Sequence, residues 1–144
     1  MEESGTYEWV PECSIGQYMV QGARPKVLPC LWRYEVKTGR VKARIVVDGS
    51  KQAASDFDSL FAPVCRSLTF RLLAICVLEK GFRIRQADEK QAFISAPVSD
   101  EKVILTRAPP GYGRRGLLIR LRKYAHGLRE SPLEYYKCSS KWMI

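Results

Sequence analysis

Apolar and polar positions change rhythm several times along the chain, and each change predicts an element. Between Val41 and Val47 the apolar Val41, Ala43, Ile45 and Val47 alternate with Lys42, Arg44 and Val46, the period of a half-buried strand. An extended run at Val27–Val36 precedes it, and the connection Lys37-Thr38-Gly39-Arg40 predicts a β-hairpin. Leu68, Leu72, Leu73, Cys76 and Val77 then fall at spacings of three and four. They predict a helix capped by Ser67 or Thr69 and stopped by Gly81, with Cys76 as a small core residue. Phe82, Ile84 and Ala87, interleaved with Arg83, Arg85 and Gln86, predict a strand leading to Asp88. A short helical turn follows around Lys90–Ser95, ended by Pro97, and Val103–Thr106 and Leu117–Leu121 predict a strand pair around the Pro109-Pro110-Gly111 turn. A last helix begins near Ser131-Pro132, since proline suits the first helical position. Residues 1–26 hold Gly5, Gly16, Gly22, Pro11 and Pro25 without a period and are expected to form an irregular arm, and the polar Ser50–Ser59 a loop.

Composition adds bounds rather than elements. The 144 residues are 46% apolar and 27% charged, which suits one globular domain with a tail and excludes wholesale disorder. The longest unbroken apolar run is Leu72–Leu78, far short of the about 20 residues of a membrane-spanning helix. The acidic start Met-Glu-Glu-Ser is unlike a signal peptide or an Arg-rich presequence. Cys13, Cys30, Cys65, Cys76 and Cys138 are odd in number and form no Cys-x-x-Cys, and His126 is the single histidine, so a zinc site of the usual patterns is excluded. Free thiols in a reducing intracellular compartment are expected; the mitochondrion stays open although no presequence is visible.

Charge changes the picture more. The net charge is +9, and residues 101–144 alone hold ten basic and three acidic side chains. Arg114, Arg115, Arg120, Arg122, Lys123 and Arg129 lie close together in sequence, interleaved with Tyr112, Tyr124, Tyr135, Tyr136 and Trp142. Cations displace counterions from phosphates and aromatic faces stack on unpaired bases, so the mixture favours RNA or DNA. A solvated basic face with a few core aromatics is the competing reading, and charge alone leaves both open. Trp32, Tyr34 and Tyr136 are expected in the core rather than as stacking platforms.

Seven segments occur in a telling order: Lys42-Ala43-Arg44-Ile45-Val46, Phe61-Ala62-Pro63-Val64, Arg71-Leu72-Leu73-Ala74, Gln86-Ala87-Asp88-Glu89-Lys90-Gln91-Ala92-Phe93, Pro109-Pro110-Gly111-Tyr112, Arg120-Leu121-Arg122-Lys123, and Gly127-Leu128-Arg129-Glu130-Ser131-Pro132 with Tyr135-Tyr136. In this order they resemble the reverse transcriptase domain of copia-type LTR retrotransposons, over about residues 27–142. The resemblance implies an α+β fold of fingers and partial palm, built of antiparallel strands and two to three helices over residues 27–144. It implies that Asp88 matches the first palm aspartate, one of the carboxylates that hold two magnesium ions. Phe93 matches the aromatic beneath the incoming sugar, Lys42 and Arg44 match fingers cations that contact the triphosphate, and Ser131-Pro132 matches a palm motif that supports template and nucleotide.

Departures from the family pattern shape the functional expectation. The family's second motif, Tyr-x-Asp-Asp, has no counterpart, since the sequence contains no Asp-Asp pair. Glu89 stands at an apolar family position, Ala87 at a leucine, and Ser95 and Ala96 at the Asn and Gly ending the motif. A second acid beside Asp88 raises its proton affinity unless a metal compensates. Two-metal phosphoryl transfer needs carboxylates on both sides of the ions. The expectation is therefore not an enzyme but an inactive, reverse-transcriptase-derived, domesticated remnant. It would be an RNA-binding structural subunit of a ribonucleoprotein, with a ribosome as the concrete version. Arg114, Arg115, Arg120, Arg122, Lys123 and Arg129 would be the main phosphate contacts and Lys42 and Arg44 secondary ones. RNA and other proteins are the expected partners, with no membrane, small-molecule substrate or cofactor, and metal at Asp88 only if a partner completes the site. The alternative is a fragment of a genuine RNA-directed DNA polymerase of a copia-type element, using Mg²⁺.

Overall fold

The tightest turn in the chain explains its longest strand pair. Thr38 and Gly39 both have positive φ (48° and 75°), as the two-residue hairpin turn that matches strand twist requires. They join β2 (Val27–Lys37) to β3 (Arg40–Val47), which pair antiparallel from Lys37↔Arg40 to Cys30↔Val47. The period-two alternation therefore sorts the hairpin cleanly. Trp32, Tyr34 and Val36 share one face with Ile45, Ala43 and Val41, while Arg33, Glu35 and Lys37 share the other with Arg44, Lys42 and Arg40.

The computed structural model describes residues 5–19, 24–53, 59–86 and 88–142. Its five strands form one sheet in the order β1-β5-β4-β2-β3, with β1 Tyr7–Pro11, β4 Leu105–Arg107 and β5 Leu117–Leu121. Three helices accompany it among the described residues: α1 Ser67–Glu79, α2 Ala92–Ser95 and α3 Ser131–Trp142. A seven-residue 3-10 helix lies at Glu12–Tyr18 and a single 3-10 turn at Gly49–Lys51. The α+β class holds, but the sheet is mixed: β2 runs parallel to β4 through Val27↔Leu105, Leu28↔Thr106 and Pro29↔Arg107. Such a pair needs a long crossover, and the whole chain between β3 and β4 provides it.

The expected irregular arm is corrected. Residues Tyr7–Pro11 form edge strand β1, antiparallel to β5 in the register Tyr7↔Leu121 to Pro11↔Leu117. Glu8 sits opposite Arg120 and holds both Arg120 (3.2 Å) and Arg122 (3.0 Å), so the strand is fixed by partners far along the chain that local periodicity does not reveal. The 3-10 helix that follows, Glu12–Tyr18, lays Ile15 and Tyr18 on the face where Val10, Leu105 and Leu118 are buried. The opposite face carries the larger core, with Tyr7, Leu28, Cys30, Ile119, Leu121, Tyr124 and Leu128.

Two other expectations are corrected around α1. Phe82–Gln86 form no strand, and Ala87 lies outside the described residues. A strand needs a ladder neighbour, and this segment stands outside the sheet order. Helix α1 is closed by left-handed Gly81 as expected, but neither Ser67 nor Thr69 caps it: Arg66 holds the cap position without a side-chain bond, no residue of α1 is buried, and Cys76 is exposed rather than in the core. Part of the expected Ser50–Ser59 loop, residues 54–58, also lies outside the described residues.

One close approach joins the hairpin to the rest. Val47 N–H donates to the His126 carbonyl (2.8 Å), so the turn at His126 is held against the end of β3. There Gly127 has φ +96°, and a Cβ on it would lie 2.0 Å from the Val47 carbonyl oxygen; one on Gly49 would lie 2.1 Å from the Gly127 carbonyl oxygen. Gly127→Ala is expected to lower stability by about 2–4 kcal/mol in urea unfolding, and Gly49→Ala by a similar amount. Gly113→Ala, whose Cβ would meet only Ala108 at an ordinary 3.6 Å, is the control and should change little.

Candidate active-site cleft

Gln91 takes the left-handed conformation (φ 60°), which turns the chain from the extended segment at Asp88 into α2. That turn places Phe93 on a short helix against α3. Its ring meets His126 edge-on at 5.2 Å and Tyr135 edge-on at 6.0 Å. Asp88 and Glu89 open onto a cleft of about 650 Å³ shared with Ser95 from α2 and Tyr135, Cys138, Ser139 and Trp142 from α3. The Asp88 segment and the helix that begins at Ser131 thus form its walls.

Glu89 does not simply add repulsion beside Asp88. Its carboxylate accepts a hydrogen bond from the Tyr135 hydroxyl at 2.7 Å, tying the Asp88 segment to α3. The same bond, then desolvation and the nearby carboxylate charge, raise the Tyr135 pKa above the ordinary phenol value. Among the described residues no three His, Cys, Asp or Glu side chains gather into a metal-holding group.

Helix α3 is anchored by a buried carboxylate. Glu130, nearly excluded from solvent, accepts from Gln52 Nε2 at 2.7 Å and from Lys102 Nζ at 2.9 Å. The Gln52 amide oxygen in turn accepts the Arg129 N–H at 2.9 Å. Ser131, fully buried, donates from Oγ to the Ala125 carbonyl at 2.7 Å. These bonds satisfy the polar groups that entry into the helix would otherwise leave buried and unpaired.

Of the hairpin cations, Arg44 is close enough for its charge to act on His126. Arg44 pairs with Glu35 at 3.3 Å on the polar face, with Lys42 opposite Glu35 in the register. The His126 pKa lies below the ordinary imidazole value, first because burial disfavours its charged form and second because the Arg44 charge opposes it.

The C-terminal cations divide into groups. Arg114 lies over the Trp9 ring at 5.0 Å, and Arg115 shares a shallow cleft with Arg107 and Arg114. Arg120 and Arg122 are engaged by Glu8, and Arg120 also lies over Tyr18 at 5.1 Å. Within the chain the charge of these two arginines is engaged in holding β1. Lys123 is half-buried, bridging to Pro97, and Arg129 is exposed. Sequence reasoning missed the roles of Glu8, Gln52, Glu130, His126 and Tyr135. The signal available for His126 was its being the single histidine; the others depend on contacts between distant segments.

Comparison with known proteins decides the family. Residues 20–144 match the family described as reverse transcriptase (RNA-dependent DNA polymerase). The chain belongs to the reverse transcriptase family. It is 29% identical over 146 residues to the retrovirus-related Pol polyprotein from transposon TNT 1-94 of Nicotiana tabacum, covering 94% of this chain and 10% of that protein. It is 30% identical over 120 residues to the Pol polyprotein from transposon RE2 of Arabidopsis thaliana, covering 76% of this chain and 8% of that one. The transposon Ty1-BL Gag-Pol polyprotein of Saccharomyces cerevisiae is 28% identical over 109 residues, or 75% of this chain and 6% of that protein. No solved structure matches. This reverse transcriptase chain is thus a copia-type, reverse-transcriptase-like fragment spanning a tenth or less of these polyproteins. The expectation of a non-enzyme is corrected by the same findings: the family is described by a polymerase activity and the relatives are Pol polyproteins. The missing Asp-Asp pair carries no weight against activity when so small a share of the relatives is matched.

The depressed His126 pKa has a measurable consequence. The unfolded chain, with an ordinary imidazole near pH 6.5, takes up this proton before the folded chain does, so stability falls as pH drops through that value. Above it both states are neutral there and the residue adds no pH dependence. Thermal melting at about pH 5.5 should give a lower midpoint than at about pH 7.5, and His126→Gln should shrink the difference. Glu12, Glu35 and Asp48, whose pKa values are lowered in the folded chain, add acid sensitivity in the carboxylate range below this window.

Proposed function

We propose that this chain is part of a working RNA-directed DNA polymerase of a copia-type element, supplying the first palm carboxylate and the fingers cations. The observation that carries this reading is the meeting of Asp88 and α3 around one cleft, with Phe93 seated edge-on against Tyr135, a residue that lines it.

Asp88 offers a hard oxygen donor in the cleft, and Mg²⁺ is commonly held by one or two carboxylates together with substrate phosphates, so this donor fits that ion. Bound there, the ion would neutralise phosphate charge and fix the geometry of phosphoryl transfer. The chain's own residues do the rest. Asp88 is the ligand, while Glu89, held by Tyr135, positions the segment. Phe93, braced by His126 and Tyr135, bounds the space for the nucleotide sugar. Lys42 and Arg44 face the triphosphate as point and fork charges on one strand face. RNA template and deoxynucleoside triphosphate are then the substrates.

The test is RNA-templated deoxynucleotide incorporation by a polypeptide carrying this chain. Asp88→Asn, which keeps shape and removes the charge, should lower incorporation at least about 100-fold with unchanged thermal stability. Phe93→Val should raise ribonucleotide incorporation relative to deoxynucleotide. An Asp88→Asn polypeptide as active as the wild type sinks the reading.

A further inference from the structure

Five aromatic rings from three separate segments form a continuous series, and none of them lines the Asp88 cleft. Tyr7 meets Trp9 at 5.9 Å, Trp9 meets Tyr112 at 6.1 Å, Tyr112 meets Trp32 at 6.2 Å, and Trp32 stacks on Tyr34 at 6.2 Å. Hydrogen bonds hold the series in place: the Tyr7 and Tyr112 hydroxyls share one at 2.5 Å, and Trp32 Nε1 donates to the Pro110 carbonyl at 2.8 Å. Rings fixed so firmly would ordinarily be core. Instead Tyr34 is 64% exposed, Tyr112 36%, and Trp9 and Trp32 are half-buried, against the sequence expectation that Trp32 and Tyr34 are core residues.

Cations stand beside the rings. The Arg114 guanidinium lies over Trp9, and it lines a shallow cleft with Arg107, Arg115, Gly113 and Gly116. Arg107 is paired with Glu12 at 2.6 Å, which leaves the cleft with more positive than negative charge. Strand alternation puts Trp32 and Tyr34 on the hairpin face opposite Arg33, Lys42 and Arg44, so the strip is distinct from the fingers cations. Rigid, partly exposed π-faces next to a concave arginine site match a ligand with flat apolar groups spaced along an anionic backbone. An acidic peptide would match the arginines but leave the rings without partners.

We propose that this aromatic–arginine strip is a second nucleic-acid site, which holds an unpaired strand by base stacking on Trp9, Tyr112, Trp32 and Tyr34 and by phosphate contact at Arg114 and Arg115. It reads no sequence, because stacking accepts every base. The inference deepens the polymerase reading and rests on it only for the choice of nucleic acid as ligand.

The experiment measures binding of a fluorescent single-stranded oligouridylate to the full chain, with EDTA present, by anisotropy and tryptophan quenching. Tyr34→Ala should weaken binding about tenfold, and Tyr34→Phe should retain it. Arg114→Gln should weaken binding and reduce the salt slope by about one charge. Equal affinity of the wild type and Tyr34→Ala overturns the strip, as does equal affinity for a blunt duplex or displacement of the oligonucleotide by a poly-glutamate peptide at similar concentration. The readout needs no synthesis, so the two readings separate. Templated synthesis with unaltered binding in the strip variants overturns only the strip. Strip binding without templated synthesis overturns only the polymerase.

Discussion

The arrangement of the molecule depends on one contact without side chains: the backbone of Gly127 against the backbone ends of β3 at Val47 and of the following turn at Gly49. Only there can the segment that leads into α3 lie close enough for Val47 N–H to reach the His126 carbonyl. From that point the order of attachments follows. His126 is placed against Phe93, Arg129 and Glu130 are caught by Gln52, and Ser131 closes onto Ala125. The hairpin with Lys42 and Arg44 and the helix with Tyr135 thus become parts of one body. A methyl group at either glycine would separate them.

The elements with strong local signals were legible in the sequence. The hairpin, the body of α1 and its stop at Gly81, the short α2 and the β4–β5 pair all follow from period and turns. What was not legible is what depends on distant partners. Strand β1 is recognisable only through Leu117–Leu121, and the parallel pairing of β2 with β4 through Leu105–Arg107. The failed strand at Phe82–Gln86 shows the converse, since alternation by itself supplies no neighbour. At the site, Asp88 and Phe93 could be picked out by resemblance, but the bond of Glu89 to Tyr135 could not. Glu89 looked like a defect in the motif, whereas its carboxylate is a tether to α3.

Charge is the other place where sequence and structure diverge. A run of cations within a few residues invites a single function, yet strand geometry sends Arg120 and Arg122 to Glu8 and the turn sends Arg114 to Trp9. Exposed pairs of this sort contribute little stability individually, about 0–1 kcal/mol, but two arginines sharing one glutamate fix the register of an edge strand. Basic composition therefore does not report one patch here: Arg120 and Arg122 fasten the sheet, while Arg114 lies over an aromatic ring.

The position of β1 in the sheet also sets the order in which the chain can assemble. Glu8 and Arg120 are neighbours in space but 112 residues apart in sequence. During synthesis the first strand leaves the ribosome long before its ladder partner exists, while the β2–β3 hairpin closes locally and early. The sheet is thus completed last at its N-terminal edge, and the nascent chain carries an unpaired strand until nearly all of these residues have emerged.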